Sequence, residues 1–152
     1  MTWFLDFVGF QFPATGFIVK EIAILNSAGS RCYNYFITGP KSLIVDDHNT
    51  YNYQYGMHNL QWEWGDYEFD EAMQDIERKL GCDTVYVKGG EKYDFINRLL
   101  PSVTLIELEH VPAFKHLNSC MHERCEVKHG NHCARRKVYE LKNALEKQDL
   151  SQ

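Results

Sequence analysis

Long apolar runs are missing from this 152-residue chain. No window approaches the roughly eighteen consecutive apolar residues of a membrane-spanning helix, so no membrane association is expected. Proline is sparse, with four in all. No Pro-rich, Gly/Ser-rich or repeated stretch separates one part of the chain from another. A single domain over residues 1–148 with a frayed tail at 149–152 is therefore expected. An excess of positive charge is also missing: 16 Lys and Arg face 21 Asp and Glu, a net charge of −5. That argues against gripping nucleic acid through bulk charge, and leaves room for a local basic strip. The first residues, Met1-Thr2-Trp3-Phe4-Leu5-Asp6, lack the basic region of a signal peptide and carry an early acid. The cysteines number five, Cys32, Cys82, Cys120, Cys125 and Cys133. An odd count without an export signal favours a reducing, intracellular setting, cytoplasm or nucleus, over a disulfide framework. Cys32 and Cys82 stand alone beside apolar stretches and read as small buried hydrophobes.

Apolar residues make up 44% and aromatics 14%, enough for a packed core and too much for a disordered chain. Trp3 to Phe10 (WFLDFVGF) is nearly continuous in apolar character and predicts a strand buried on both faces. Pro13 to Gly16 is a turn, and Phe17 to Leu25 is a second strand with Lys20 and Glu21 set into it. A second turn leads to a third strand, Arg31 to Thr38, which ends at Gly39-Pro40. Three strands joined by short turns predict an antiparallel meander. Residues 41–68 are irregular and aromatic, an ordered loop with one short helix. They suit a lid packed over the sheet better than an open binding surface.

The second half alternates. Asp70 to Leu80 places Ala72, Met73, Ile76 and Leu80 on one helical stripe, terminated by Gly81. Thr84 to Val87 is a strand, Glu91 to Leu100 a helix stopped by Pro101, and Val103 to Leu108 a strand. Val111 to Leu117 is a short helix, and Ala134 to Lys147 closes the chain with Val138, Leu141 and Leu145 inward. A hairpin set followed by alternating helices and strands is α/β with a mixed sheet.

This element order resembles the ribonuclease H-like fold in the version used by proofreading 3′–5′ exonucleases. Those enzymes hold two divalent ions on converging acids, which clamp the scissile phosphate and activate water. The resemblance keeps the first acid as Asp6 but puts Val8 at the Glu two places on. A further metal-binding Asp falls near Lys92, with Asp94 two residues away as the other candidate. In His132-Cys133-Ala134-Arg135-Arg136-Lys137 the family's His and Ala remain, while Lys137 stands at its final Asp. An ammonium repels Mg²⁺ and offers no oxygen ligand, so two-metal hydrolysis is not expected. Asp6, Asp94 and His132 are its vestigial candidates. On its own, Asp6 also reads as a strand acid bonded to nearby backbone, and His132 as a helix cap or core histidine.

Asn118 to Ala134 reads NSCMHERCEVKHGNHCA and holds Cys120, His122, Cys125, His129, His132 and Cys133. Six N or S donors in fourteen residues match what a tetrahedral zinc site requires. With this cluster the chain resembles the Maelstrom domain, an exonuclease-like fold of the germline small-RNA pathway that has lost its acids. The resemblance implies a structural zinc held by a Glu-Cys-His-Cys set. The matching pair is His122-x-x-Cys125, with the two residue types exchanged, and the final Cys is Cys133. The Glu is Glu21 in the second strand, where an acid amid apolar neighbours is costly unless paired or ligated. The fourth ligand is open between Glu21, Cys120 and His129.

Lys88, Lys92, Lys115, Arg135, Arg136 and Lys137 gather where the family's acids would be. On one face they would track phosphates, with Tyr93, Trp62 and Trp64 available to stack on unpaired bases. Otherwise Arg135 to Lys137 is the solvated first turn of a helix. The sequence thus points to a catalytically degenerate exonuclease-fold module that binds RNA, single-stranded or structured, or a protein of a small-RNA or transposon system. An RNA nuclease with a non-standard centre is the alternative. Dimerisation through the aromatic middle segment is a third reading.

Overall fold

The computed structural model describes residues 1–12, 16–40, 51–55, 60–108 and 133–150. Five strands, β1 (Thr2–Phe12), β2 (Gly16–Asn26), β3 (Cys32–Phe36), β4 (Thr84–Val87) and β5 (Thr104–Glu107), form one sheet in the order β3-β2-β1-β4-β5. The first three pair antiparallel, while β4 runs parallel to both β1 and β5. Among the described residues, the helices α1 (Phe69–Leu80), α2 (Gly90–Leu99) and α3 (Ala134–Leu150) join the sheet in an α/β arrangement whose mixed sheet and element order are consistent with the ribonuclease H-like fold. The expected helix at 111–117 lies outside the described residues. The last helix runs on to Leu150, past the expected end at Lys147. No described helix is long and apolar enough to cross a membrane.

The near-continuous apolar runs of β1 and β2 follow from burial on both faces. Trp3, Leu5 and Phe7 on β1 point with Ile22 and Ile24 toward α1 and α2, where Ala72, Ile76, Leu80 and Ile96 complete the larger core. Phe4, Ala23 and Leu25 point the other way, onto Ala134, Val138 and Leu141 of α3. Each fully buried Leu, Ile, Val or Phe among these contributes about 1.5–3 kcal/mol. α1 begins with a capping box between Glu68 and Glu71 and ends at Gly81, whose φ of 55° suits a residue without a Cβ.

The β1–β2 ladder slips between Val8 and Gly9: Val8 faces Glu21, whereas Gly9 faces Val19. Lys20 is the extra residue of this bulge. A Cβ on Gly9 would lie 2.0 Å from the Ile18 carbonyl oxygen, so only glycine allows the strands to approach here. The bulge puts Lys20 and Glu21 both out of solvent, each 0% exposed. Lys20 Nζ donates to the carbonyls of Ile37 at 2.5 Å, Trp62 at 2.6 Å and Trp64 at 2.6 Å. Burial lowers its pKa from 10.5 to about 8, and these three acceptors take all three of its protons.

Among the described residues of the aromatic middle segment, Tyr51 and Trp62 cover the far end of β1. Tyr51, in a helical turn at 51–55, stacks on Phe10 at 4.7 Å between ring centroids. Trp62 packs on Phe10 and Phe12. Gln54 pairs both ways with the backbone of Gln11, as a neighbouring strand would.

Candidate nucleic-acid interface

β4 pairs with β1 only through Phe4, so from Leu5 onward β1 has no strand partner on that side. Phe4 and Tyr86 are register partners whose rings stack at 5.4 Å on the α3 side of the sheet. Two residues on, strand periodicity returns Asp6 and Lys88 to that same side. Gly89, with φ 106°, then turns the chain, and its N–H donates to Glu107 Oε1 at 2.8 Å. This pins the start of α2. Lys92, in the first turn of α2, reaches back and forms an ion pair with Asp6, whose residue exposure is only 3%. The Lys92 ammonium also lies 5.3 Å from the centre of the Phe7 ring. Lys137, in the first turn of α3, completes the group. Burial lowers its pKa, Asp6 and Glu140 oppose that, and Lys88 and Lys92 add to it.

Lys92 is thus the ammonium that pairs with Asp6, and Lys137 feels Asp6 as an attracting charge and Lys88 and Lys92 as repelling ones. Val8, on the strand face shared with Asp6, pairs across the ladder with Glu21 and supplies no oxygen. Asp94 is exposed on α2, among the residues lining a groove on the other side of β1. His132 lies outside the described residues. A carboxylate already paired with an ammonium is a poor seat for a dication, and the surrounding positive charge disfavours one further.

A second buried carboxylate sits on the same face. Glu21 Oε1 accepts the Ala134 N–H at 3.0 Å, and its Oε2 accepts from Asn34 Nδ2 at 2.9 Å. The first bond caps the N-terminus of α3, satisfying a donor that has no partner within the helix. It also brings Glu21 next to Cys133, which is 3% exposed and whose Sγ accepts the Arg136 N–H at 3.4 Å. Two of the expected zinc donors, 112 positions apart in sequence, are thus linked through the Ala134 N–H that follows Cys133. Cys120, His122, Cys125 and His129 lie outside the described residues, as does Lys115. Among the described residues no set of three His, Cys, Asp or Glu could hold a metal by itself. A carboxylate oxygen keeps a lone pair after accepting one bond, and a sulfur that accepts a backbone N–H suits a thiolate ligand. Both Glu21 oxygens are engaged, by the Ala134 N–H and the Asn34 amide.

The arginines behave differently from the lysines. Arg136 pairs with Glu140 at 3.3 Å and is largely covered. Arg135 hydrogen-bonds the Cys32 thiol, as Tyr139 does, while burial pushes that thiol's pKa up. Arg135 and Arg136 are thus engaged along α3, while Lys92 pairs with Asp6. Cys32 is half-buried and hydrogen-bonded, and Cys82 is exposed in the turn that follows α1. The expectation of two small buried hydrophobes is corrected at Cys82, because the chain leaves the core at Gly81. Of the aromatics considered for stacking, Trp62 belongs to the lid and Tyr93 packs against the larger core. Trp64 is 37% exposed, with its ring 4.7 Å from that of Phe36.

Sequence reasoning missed Lys20. Its signal was an adjacent Lys-Glu pair inside a strand buried on both sides, which strict alternation cannot shelter unless both find partners. It also missed a surface triad in which Tyr35 donates to Asp75 at 2.5 Å and Lys79 donates to Tyr35 at 2.8 Å.

Comparison of the chain with models of known protein families and with curated proteins gave no match.

Proposed function

We propose that this protein is a non-catalytic module of exonuclease ancestry, related to the Maelstrom domain, that binds RNA in a small-RNA or transposon-related setting. The observation that carries this reading is the Lys92–Asp6 ion pair with Lys88 and Lys137 beside it. A cleft that held cations in the ancestor now presents ammonium groups, so it attracts phosphate instead of the metal that would cut it. The zinc of this reading is structural. It would be held by Glu21 and Cys133 with two donors from Cys120, His122, Cys125 and His129. When bound, it would supply a fixed cross-link between the sheet, the segment before α3 and the start of that helix.

Labelled single-stranded RNA incubated with purified protein, in Mg²⁺ and separately in EDTA, tests the function. The expected result is a complex with full-length RNA in both buffers. Three phosphate contacts predict a log–log salt slope near about −2 for a single strand. Shortening of the RNA in Mg²⁺ that EDTA abolishes would restore the nuclease reading. Elemental analysis should give about one zinc per chain, and chelation should lower the melting temperature because metal binding and folding are coupled.

A further inference from the structure

β3 is an outer strand of the sheet, and two bonds fix which way its backbone points. The Arg31 carbonyl accepts the Asn26 N–H at 3.0 Å, and the Ile37 N–H donates to the Lys20 carbonyl at 2.8 Å. The odd-numbered residues therefore turn their peptide groups toward β2, while Cys32, Asn34 and Phe36 turn theirs outward. The Phe36 carbonyl is taken by the N–H groups of Asp66 and Tyr67, at 2.9 and 3.1 Å. Among the described residues, no backbone partner meets the outward N–H and C=O groups of Cys32 and Asn34. The strand reads CYNYF. It holds neither the charges nor the proline that commonly keep an edge from pairing.

This short open edge matches an antiparallel copy of itself. With a two-fold axis at Tyr33, Cys32 of each chain exchanges its N–H and C=O bonds with Asn34 of the other. The lengths agree. The segment at Asp66 closes the edge from Phe36 onward, and there the partner strand has already turned away, since Ser30 belongs to the turn before β3. The charges agree as well. Arg31 is exposed and forms no ion pair among the described residues, and the same holds for Asp66. Alternation puts the Arg31 side chain on the α1 face with Tyr33 and Tyr35. Across the axis it meets the partner's Tyr35, one residue short of where Asp66 joins the edge. Of the other charges nearby, Lys79 and Arg78 pair with Asp75 in their own chain, and Arg135 sits on the opposite face at the Cys32 thiol. Trp64 and Tyr67, 37% and 38% exposed, pack on Phe36 and Tyr35 at this same end, within reach of the partner's turn.

We propose that β3 is a self-association edge: two copies of this chain pair through their β3 strands, antiparallel about Tyr33, into one continuous sheet closed at each end by an Arg31–Asp66 ion pair. The Lys92–Asp6 pair lies on β1, two strands in from this edge, so the association does not involve it.

Sedimentation equilibrium of the full chain over a wide concentration range reads the association directly. Reducing buffer keeps the exposed Cys82 from linking copies through a disulfide. The expected result is a reversible monomer–dimer equilibrium. Arg31→Glu should weaken it about tenfold, and Asp66→Arg likewise, because each sets like charges together at both ends of the dimer. Both changes fall on exposed side chains outside the core. Combining Arg31→Glu with Asp66→Arg should restore the affinity of the unaltered chain. Cys32→Pro removes an outward donor from each copy while sparing the bonds to β2, and should abolish the dimer with circular dichroism unchanged. A monomer at every concentration overturns the proposal and leaves the edge to a strand of another protein. A dimer that both single charge reversals leave unchanged, that the combined reversal fails to recover, or that persists in folded Cys32→Pro overturns β3 as its interface.

Discussion

Asp6 and Glu21 are two buried carboxylates on one face of one sheet, two register pairs apart, and their partners could hardly differ more. Asp6 meets an ammonium on a flexible stem that is one-third exposed. Glu21 meets a backbone N–H and a side-chain amide fixed in place by α3 and β3. Flexible, partly solvated partners can be traded for a ligand at little cost, whereas fixed ones cannot be removed without unmaking the helix start. The Lys92–Asp6 pair is therefore the more easily exchanged of the two, and the β2–α3 junction the one that holds the fold.

The sharpest way to break that contrast is to neutralise each acid in turn. Glu21→Ala should cost about 2–4 kcal/mol in urea unfolding, because the Ala134 N–H and the Asn34 amide lose their acceptor in a dry site. Lys20→Met, on the other side of the same bulge, should cost a similar ~3 kcal/mol by leaving three carbonyls unsatisfied. Asp6→Asn should cost only about 1 kcal/mol, since Lys92 can turn to solvent. It should also tighten RNA binding severalfold by removing the one negative charge at the cluster. Equal losses at positions 6 and 21 would remove the distinction between the two sites.

A pH titration sharpens it further. Lys137 has a pKa lowered by burial and by Lys88 and Lys92, so it loses its proton in the folded protein before it would in the unfolded chain. Below that lowered pKa, burying the charge opposes folding. That opposition is relieved as pH rises from the lowered value toward 10.5. RNA affinity should therefore fall over the window in which this group's contribution to stability rises, and Lys137→Arg should move the fall to higher pH. Tyr35 is the smallest test. Burial and the bond to Asp75 raise its pKa to about 12, so its contribution to stability is complete below pH 10 and lost between 10 and 12. Ultraviolet absorbance should show one tyrosine ionising late, and Tyr35→Phe should remove that step at a cost of about 1 kcal/mol.

The sheet was legible because its evidence is local: apolar runs, turns and one helical stripe set the order of elements, and the parallel pairing of β4 follows from the helix between the third and fourth strands. Asp6 and the lysines around it were legible by their fit to a known element order. Glu21 stood out because an acid inside an apolar strand demands a partner, although α3 as that partner lies 113 residues away. Lys20 was marked only by its place beside Glu21 in an apolar strand; the bulge that sets the face it takes leaves no trace in the spacing, so its three carbonyl partners were not legible. Arg135 and Arg136 look the same as Lys137 along the chain. Only the rotation of α3 against the sheet sends them to Cys32 and Glu140 instead of Asp6.

The most direct measurement is fluorescence anisotropy of labelled single-stranded RNA in EDTA, comparing the unaltered protein with the variant Lys88→Ala/Lys92→Ala/Lys137→Ala. A cleft converted from metals to phosphates predicts binding by the first and at least about a tenfold loss in the second, as removal of three phosphate contacts entails, with circular dichroism unchanged. Equal affinity in the two folded proteins would contradict it.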